Sequence, residues 1–587
     1  MPEAAQGAPP MSPSPTPAGA RLDPMGGHGV LRPLSPLPPE WRSLLHAFVL
    51  QARRTPDRPA VRDSTGAALT YGQTLMRAAA LARVLSRELG PEDYVGLMLP
   101  PMVPSAVANL ALGLLGKIPV NLNYTTNQAM VDAAVVQCHI KTVLTSAKVL
   151  DKCPIRPAAG LMMLEDVPAK VKAADKLLAA AVAKAAPIGV MGRFLPGLRA
   201  RGLDDLATII FTSGSTGDPK GVMLTHRNIL CNVLQVQEQI HLAEREMILG
   251  ILPFFHSFGY TIGLWTALVL GKTVVYHFNP LDARTIGKLC EEHGVTLVAG
   301  TPTFARMYLK ACRPEQFKTL KHLILGAEKL KDECYREIKA TLNIEPMQGY
   351  GTTELSPVVS VNVPADAALP DGRTIHANRP GSVGLPVPGT SVKTVHPETG
   401  EDLAPGATGL ICVKGPQVMS GYLHKPEATA QVLKDGWYST GDLGFVDEDG
   451  FLTITDRISR FSKIAGEMVP HVGVESAVMS AAGVDEQQVA VTALPDPRHG
   501  ERLCVLYTDL GASPDEIHRR LVAAGVPRLW IPSVRDFIQV DAIPITGTGK
   551  IDLKALREAA ARQPACPGLG GTPAVARRAA ILAPGWI

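Results

Sequence analysis

The chain has 587 residues, 46% hydrophobic and 19% charged, with a formal net charge of +4. At roughly 100–200 residues per domain the length calls for more than one core, and the composition is that of a folded protein rather than a disordered one. Near charge balance, without a basic tract interleaved with aromatics, gives no basis for a nucleic-acid partner. Nine scattered cysteines, with no C-x-x-C and no histidine cluster, argue against a disulfide framework or a zinc site and for reduced thiols in the cytoplasm.

In chain order, residues 1–38 are dense in Pro, Gly, Ala and Ser without apolar periodicity and read as a disordered leader. They carry no secretory signal. Ordered sequence is expected from Trp41. A helix opening at Thr70-Tyr71 places Leu75, Ala78, Ala82, Leu85 and Leu89 on one stripe. Val95–Leu99 reads as a buried strand, Ser105–Leu115 as a helix and Thr142–Thr145 as a further strand. The most apolar stretch, Val103–Val120, is interrupted by Pro104, Ser105, Asn109 and Lys117, short of the ~20 clean residues of a spanning helix. Peripheral membrane contact stays open.

Residues 155–205, rich in Ala and Lys, read as a helical surface excursion. Strand signals recur at Thr208-Ile-Ile, Ile248–Leu252, Thr273–Tyr276, Val295–Val298 and His322–Leu325, separated by helical patterns. One of those helices is capped by Thr225 and carries Ile229, Val233, Val236 and Ile240. This alternation predicts an α/β fold with largely parallel sheets in a large N-terminal domain, 41–456. Past Gly381 short strands between Gly and Pro turns predict a small β subdomain to about residue 455. A smaller α+β domain is expected over 457–562, with a capping-box spacing at Ser513–Glu516. Residues 563–587 read as a loose tail.

Three stretches carry chemistry. The first is Phe211-Thr-Ser-Gly-Ser-Thr-Gly-Asp-Pro-Lys220, a run of hydroxyls (Thr212, Ser213, Ser215, Thr216), two glycines (Gly214, Gly217) and a cation, which is what a polyphosphate asks of its cradle. It is not a Walker A loop, which would need glycine where Pro219 stands, and its position predicts a loop between a strand and a helix. The second is Gln348-Gly-Tyr-Gly-Thr-Thr-Glu354: an aromatic beside glycine to stack on a base, and a carboxylate to hold a divalent cation against phosphate oxygens. The third is Gly436-Trp-Tyr-Ser-Thr-Gly-Asp442, whose carboxylate suits a ribose diol. Each alone is ordinary turn chemistry. Their joint occurrence in this order is what carries weight.

On these motifs, residues 45–560 resemble the superfamily of adenylate-forming enzymes, which includes acyl-CoA synthetases, peptide-synthetase adenylation domains and firefly luciferase. The resemblance implies that the first loop, Thr212 to Lys220, binds ATP phosphates. It further implies that Tyr350, Gly351, Thr352 and Thr353 contact the nucleotide, as does the adenine loop Gly326-Ala327-Glu328. Glu354 and Thr216 are implied as Mg2+ ligands, Asp442 as the ribose acceptor and Arg457 as the arginine ending the large domain. Lys550, in Pro544-Ile-Thr-Gly-Thr-Gly-Lys, is implied as the catalytic lysine, with Glu354 and Thr216 beside it in catalysis. The small domain is expected to close and then rotate, presenting Lys463 and Gly466 to a thiol. Two positions depart from the usual pattern, Asp456 before the arginine and Ser459 at the hinge.

Within the superfamily the chain is most similar to the acyl-[acyl carrier protein] synthetase part of bacterial acyltransferase/synthetase fusions. That likeness rests on Asn121–Thr125, Val358–Pro364, Arg460–Met468 and Leu529–Pro532. It implies ATP-dependent activation of a fatty acid, with CoA or the phosphopantetheine of acyl carrier protein as thiol. Pro253–Tyr260 matches the segment beside the carboxylate pocket. No aspartate there serves an amino-acid ammonium, and Phe255 and His256 suit an apolar acyl chain. An aryl acid is the alternative substrate, and a non-catalytic acyl or nucleotide sensor the alternative of another class. His277 and Asp282 reproduce an acyltransferase spacing, H-x-x-x-x-D, within the adenylating region, where it is read as chance.

Overall fold

A computed structural model describes residues 27, 32–184, 187–213, 219–368, 373–457, 460–464, 467–484, 488–545 and 551–562. The chain forms two compact units, one ending at residue 459 and the other beginning at 460.

Unit 1 is built on a nine-stranded sheet. Its parallel core runs Met347–Gly351, His322–Leu325, Leu297–Gly300, Met247–Gly250, Thr273–Tyr276 and Pro59–Asp63. Antiparallel strands close both edges, Ala68–Thr70 at one and Val358–Val361 with Leu385–Pro386 at the other. The central strands Thr273–Tyr276 and Leu297–Gly300 are short, apolar and buried at every position, because helices such as Ala283–His293 and Pro302–Ala311 cover the sheet. A second sheet, all parallel, orders Ile118–Asn121, Tyr94–Leu97, Thr142–Thr145 and Gly160–Met163. The predicted stripe forms: the helix Tyr71–Glu88 buries Leu75, Ala78, Ala82 and Leu85, and Thr70 and Gln73 close a capping box at its start.

The small β subdomain is a five-stranded antiparallel sheet of Ser391–Val395, Gly409–Lys414, Trp437–Val446, Leu433–Lys434 and Leu452–Arg457. Unit 2 is α+β. Its sheet of Glu467–Pro470, Phe461–Ile464, Gly500–Tyr507, Val489–Asp496 and Phe537–Gln539 carries the helices His471–Ala482, Pro514–Ala523 and Leu553–Arg562. Ser513 caps the second of these by accepting from the Glu516 amide.

Three expectations change. The segment 32–38 belongs to unit 1 rather than to a leader. The Arg32 guanidinium bonds Gln239 and the Pro386 carbonyl, its own carbonyl accepts from Gly389, and Ser35 meets Glu238. Residues 155–205 are more than a helical excursion, since Gly160–Met163 extends the second sheet and Ala179, Val182, Met191 and Leu195 enter the main core. Finally, the Ser/Gly loop does not join a strand to a helix. Leu206–Ser213 pairs antiparallel with Pro219–Thr225, so the element after the motif is a strand, and residues 214–218 lie outside the described residues. The helix His226–Ile240 starts only after that second strand, capped by Thr225 and Asn228.

Candidate active site

In parallel sheets, ligand-binding loops leave the carboxyl ends of the strands. Three expected segments do so here, and a fourth, not singled out in the sequence, joins them. Pro253–Tyr260 follows Met247–Gly250, Gly326–Glu328 follows His322–Leu325, Thr352–Glu354 follows Met347–Gly351, and Thr301 to Thr303 follow Leu297–Gly300. They are stitched to one another. The Gly326 amide donates to the Gly300 carbonyl at 3.0 Å, Thr303 Oγ1 donates to Glu328 Oε2 at 2.6 Å, and Ser257 Oγ lies 3.4 Å from Thr353 Oγ1. At Gly351 a Cβ would lie 1.9 Å from the Pro357 carbonyl oxygen, so only glycine lets the chain pass. Ala327 is held at φ 68°, exposed at the tip of its loop.

Asp442 is the hub of one cluster. It is 2% exposed. Tyr350 Oη donates to its Oδ2 at 2.5 Å and Arg457 Nε to its Oδ1 at 2.6 Å. Burial, then the Asp442 charge, push the Tyr350 phenol well above its ordinary range, so it remains a donor. The Asp442 charge in turn holds the Arg457 guanidinium more firmly protonated. A carboxylate has about four acceptor sites, and these two donors leave room for a diol. The Arg457 side chain, 55% exposed, forms the outer wall.

Glu354 is the hub of a second cluster. Tyr422 Oη donates to Glu354 Oε1 at 2.9 Å, and the Met419 amide donates to the Glu354 carbonyl at 2.8 Å. Lys220 Nζ sits 5.0 Å from the centre of the Tyr422 ring, a cation–π contact. Gly421–Tyr422 pairs with Val222–Met223, so the strand after the phosphate-loop motif is tied to the residue that orients Glu354. Tyr422 was not legible in the sequence: it stands in a two-residue strand with no periodicity to mark it. Burial and then the Glu354 charge raise its phenol pKa, so it too stays a donor.

Phe255 is buried and packs edge-on against Tyr124, centroids 5.0 Å apart, which brings the Asn121–Thr125 motif to the substrate segment. His256 is half-buried, 4.7 Å from the Phe255 ring. Behind them Gly259–Thr266 forms a buried π-helix, and at Gly259 a Cβ would meet the Pro253 carbonyl oxygen at 2.2 Å. His277 and Asp282 are close in space, but neither enters the clusters. His277 Nδ1 bonds Ser64 Oγ at 2.7 Å, and Asp282 caps the helix Ala283–His293.

Thr212 and Ser213 end the strand Leu206–Ser213, facing Lys220 and Pro219. Lys463 lies in the strand Phe461–Ile464 of unit 2, paired with Met468. Gly214, Ser215, Thr216, Gly217, Gly466, Ser459 and Lys550 lie outside the described residues.

The residues present fit a magnesium nucleotide. Thr352 Oγ1 is buried and, among the described residues, has no hydrogen-bond partner, an acceptor and donor left for a ligand inside the nucleotide motif. Among the described residues there is no cluster of three or more metal-ligating side chains. Magnesium held by one carboxylate and by phosphate oxygens needs none.

The model of the AMP-binding enzyme family matches residues 48–423. A long-chain-fatty-acid–CoA ligase of Salmonella typhimurium is 31% identical over 561 residues, covering 89% of this chain and 95% of that protein. A feruloyl-CoA synthase of Amycolatopsis is 32% identical over 511 residues, covering 86% and 96%. ATP-bound MatB from Rhodopseudomonas palustris superposes with a TM-score of 0.71 at 26% identity, covering 88% of this chain and 98% of that one. With paired clusters around Asp442 and Glu354 at the strand ends, and with a family match across most of unit 1, the chain belongs to the AMP-binding enzyme family.

Proposed function

We propose that the chain is an acid–thiol ligase that activates a fatty, long-chain carboxylic acid with ATP and transfers the acyl group to CoA. The observation that carries this reading is the pair of clusters at the strand ends, Tyr350–Asp442–Arg457 and Lys220–Tyr422–Glu354. The CoA ligases among its relatives support it.

In this reading the acid's carboxylate attacks the α-phosphorus of ATP, pyrophosphate leaves, and a thiol then displaces AMP from the acyl-adenylate. Asp442 accepts the ribose hydroxyls, and the loop Thr212 to Lys220 holds the departing phosphates. Glu354 and Thr216 would hold Mg2+, which supplies charge neutralisation at the phosphate oxygens. Thr352 Oγ1 offers the unsatisfied hydrogen bond. Lys550 neutralises charge at the reacting phosphate and carboxylate, and Lys463 and Gly466 belong to the thiol step. Phe255 and His256 border the acyl chain.

The test is thioester formation over a panel of fatty, aryl and amino acids, with CoA and acyl carrier protein offered separately. The expected result is long-chain fatty acyl-CoA. Product only from aryl acids would move the assignment to the alternative class of acid. Product only on carrier protein would move the thiol.

A further inference from the structure

The layer of residues 167–203 is unusual in charge and in what it exposes. It holds seven bases and one acid, a net +6 against +4 for the whole chain, so the rest of the molecule is slightly negative. The one acid, Asp175, is buried and consumed inside the protein, with both its oxygens 2.9 Å from the Arg87 guanidinium and Arg83 4.0 Å away. Two of the bases are also engaged, Lys170 with Glu88 and Arg201 with the Gly116 carbonyl. Lys172, Lys176, Lys184, Arg193 and Arg199 are exposed, and among the described residues none of their side chains has an acidic partner.

Among these cations stand three apolar side chains that a folded surface would ordinarily cover. Leu177 is 74% exposed, Val190 44% and Phe194 42%. The layer itself is not loose. The helix Ala173–Lys184 turns Ala179 and Val182 into the core, and Met191, Leu195 and Leu198 follow them. Arg53 clamps its two halves together, donating to the Val182 carbonyl at 2.6 Å and reaching Met191 Sδ at 3.0 Å. The inner face is therefore fixed, and the outer face is what the exposed residues advertise.

We propose that this outer face, formed by residues 172–184 and 187–199, docks on an anionic lipid bilayer. Leu177, Val190 and Phe194 would enter the headgroup boundary as anchors, while the five unpaired cations meet lipid phosphates. An acidic protein would answer the charge equally well. It needs a pocket or groove for its anchors, however, whereas these three side chains stand on separate turns, with Ala181, Pro187 and Gly189 exposed between Leu177 and Val190. A bilayer accepts isolated anchors at any spacing. The proposal goes beyond the ligase reading and does not depend on which acid is activated.

The test is flotation of the full chain with phosphatidylcholine vesicles, with and without phosphatidylglycerol. Pyrophosphate exchange with a long-chain fatty acid supplied on albumin, without vesicles, is measured alongside, so that loss of the enzyme and loss of the surface are told apart. The full chain should float only with the anionic vesicles, and less as salt rises from about 0.1 to 1 M and the Debye length falls from about 10 to about 3 Å. Each cation near the surface contributes roughly fivefold to partition, so Lys176→Glu with Lys184→Glu and Arg193→Glu should lower it about a hundredfold or more. Leu177→Ser with Phe194→Ser should lower it at low salt too, and both variants should keep wild-type exchange. No flotation, or flotation unchanged in both variants, would overturn the proposal. So would carrier-protein binding lost in the charge-reversed variant without any vesicle binding, which would give the face to an acidic protein.

Discussion

At the residue scale, Asp442 and Glu354 resemble each other: each is a buried carboxylate approached by a tyrosine hydroxyl, with a cation beyond. Such hydrogen bonds to a charged group contribute about 1.5–3 kcal/mol, so their loss is measurable one at a time. Asp442→Asn frees Tyr350 and Arg457 and removes the diol acceptor; kcat/KM for ATP is expected to fall roughly 10–100-fold with KM for the acid little changed. Tyr422 is a positioning residue. Tyr422→Phe keeps the ring under Lys220 but releases one Glu354 oxygen, so the half-saturating Mg2+ concentration should rise about tenfold while saturating Mg2+ restores most of the rate. A merely structural tyrosine would lower the rate at every Mg2+ concentration alike. Asp442, Tyr350 and Glu354 were legible in the sequence because each lies in a short motif whose spacing is local. Tyr422 was not, because it reaches Glu354 across 68 positions and only the pairing of Gly421–Tyr422 with Val222–Met223 delivers it.

At the element scale, strand and helix existence followed from period and composition, while connectivity around the phosphate loop did not. Thr142–Thr145, Thr273–Tyr276 and His322–Leu325 form as read, because a β-branched run bounded by turns has one outcome in a sheet covered on both faces. Pro219–Thr225 escaped notice because its Pro-Lys-Gly opening resembles a continuing loop; the antiparallel partner Leu206–Ser213 makes it a strand. The edge opposite the site also has an organiser invisible in one dimension. Glu246, 2% exposed, accepts from the Ala243 amide at 3.0 Å and from Thr296 Oγ1, with His322 Nε2 3.8 Å away, so it ties the starts of three parallel strands. Burial opposes its ionisation, but these hydrogen bonds outweigh that and hold its carboxyl at about 2, against 4.5. A depressed carboxyl stabilises the fold above pH 4.5 and loses that contribution as pH falls toward 2. The expected loss is roughly 3 kcal/mol, and in urea unfolding at a series of pH values it should be absent from Glu246→Gln.

At the scale of the whole molecule, the proposed function divides the chemistry between two compact units. The nucleotide clusters belong to unit 1, while Lys463, Gly466 and Lys550 belong to the chain after residue 460. The sequence displayed this division through the switch from the β subdomain to a new mixed pattern past Arg457. It could not display how residues 32–38 are bound into unit 1, since a Pro- and Leu-rich strap has no period and is held by the Arg32 guanidinium and by Ser35 meeting Glu238. Division of labour makes the half-reactions separable. Gly466→Leu is expected to leave pyrophosphate exchange intact and to lower thioester formation by about 10²-fold, because in the proposed function only the thiol step uses that segment.

The central claim is adenylation of a carboxylate, and the most direct measurement is acid-dependent exchange of labelled pyrophosphate into ATP by the full chain and by Lys550→Ala. The prediction is exchange that requires both a long-chain fatty acid and Mg2+ and falls at least about 10²-fold in the variant. Absence of exchange with every carboxylate in the panel, or equal exchange by Lys550→Ala, would contradict it.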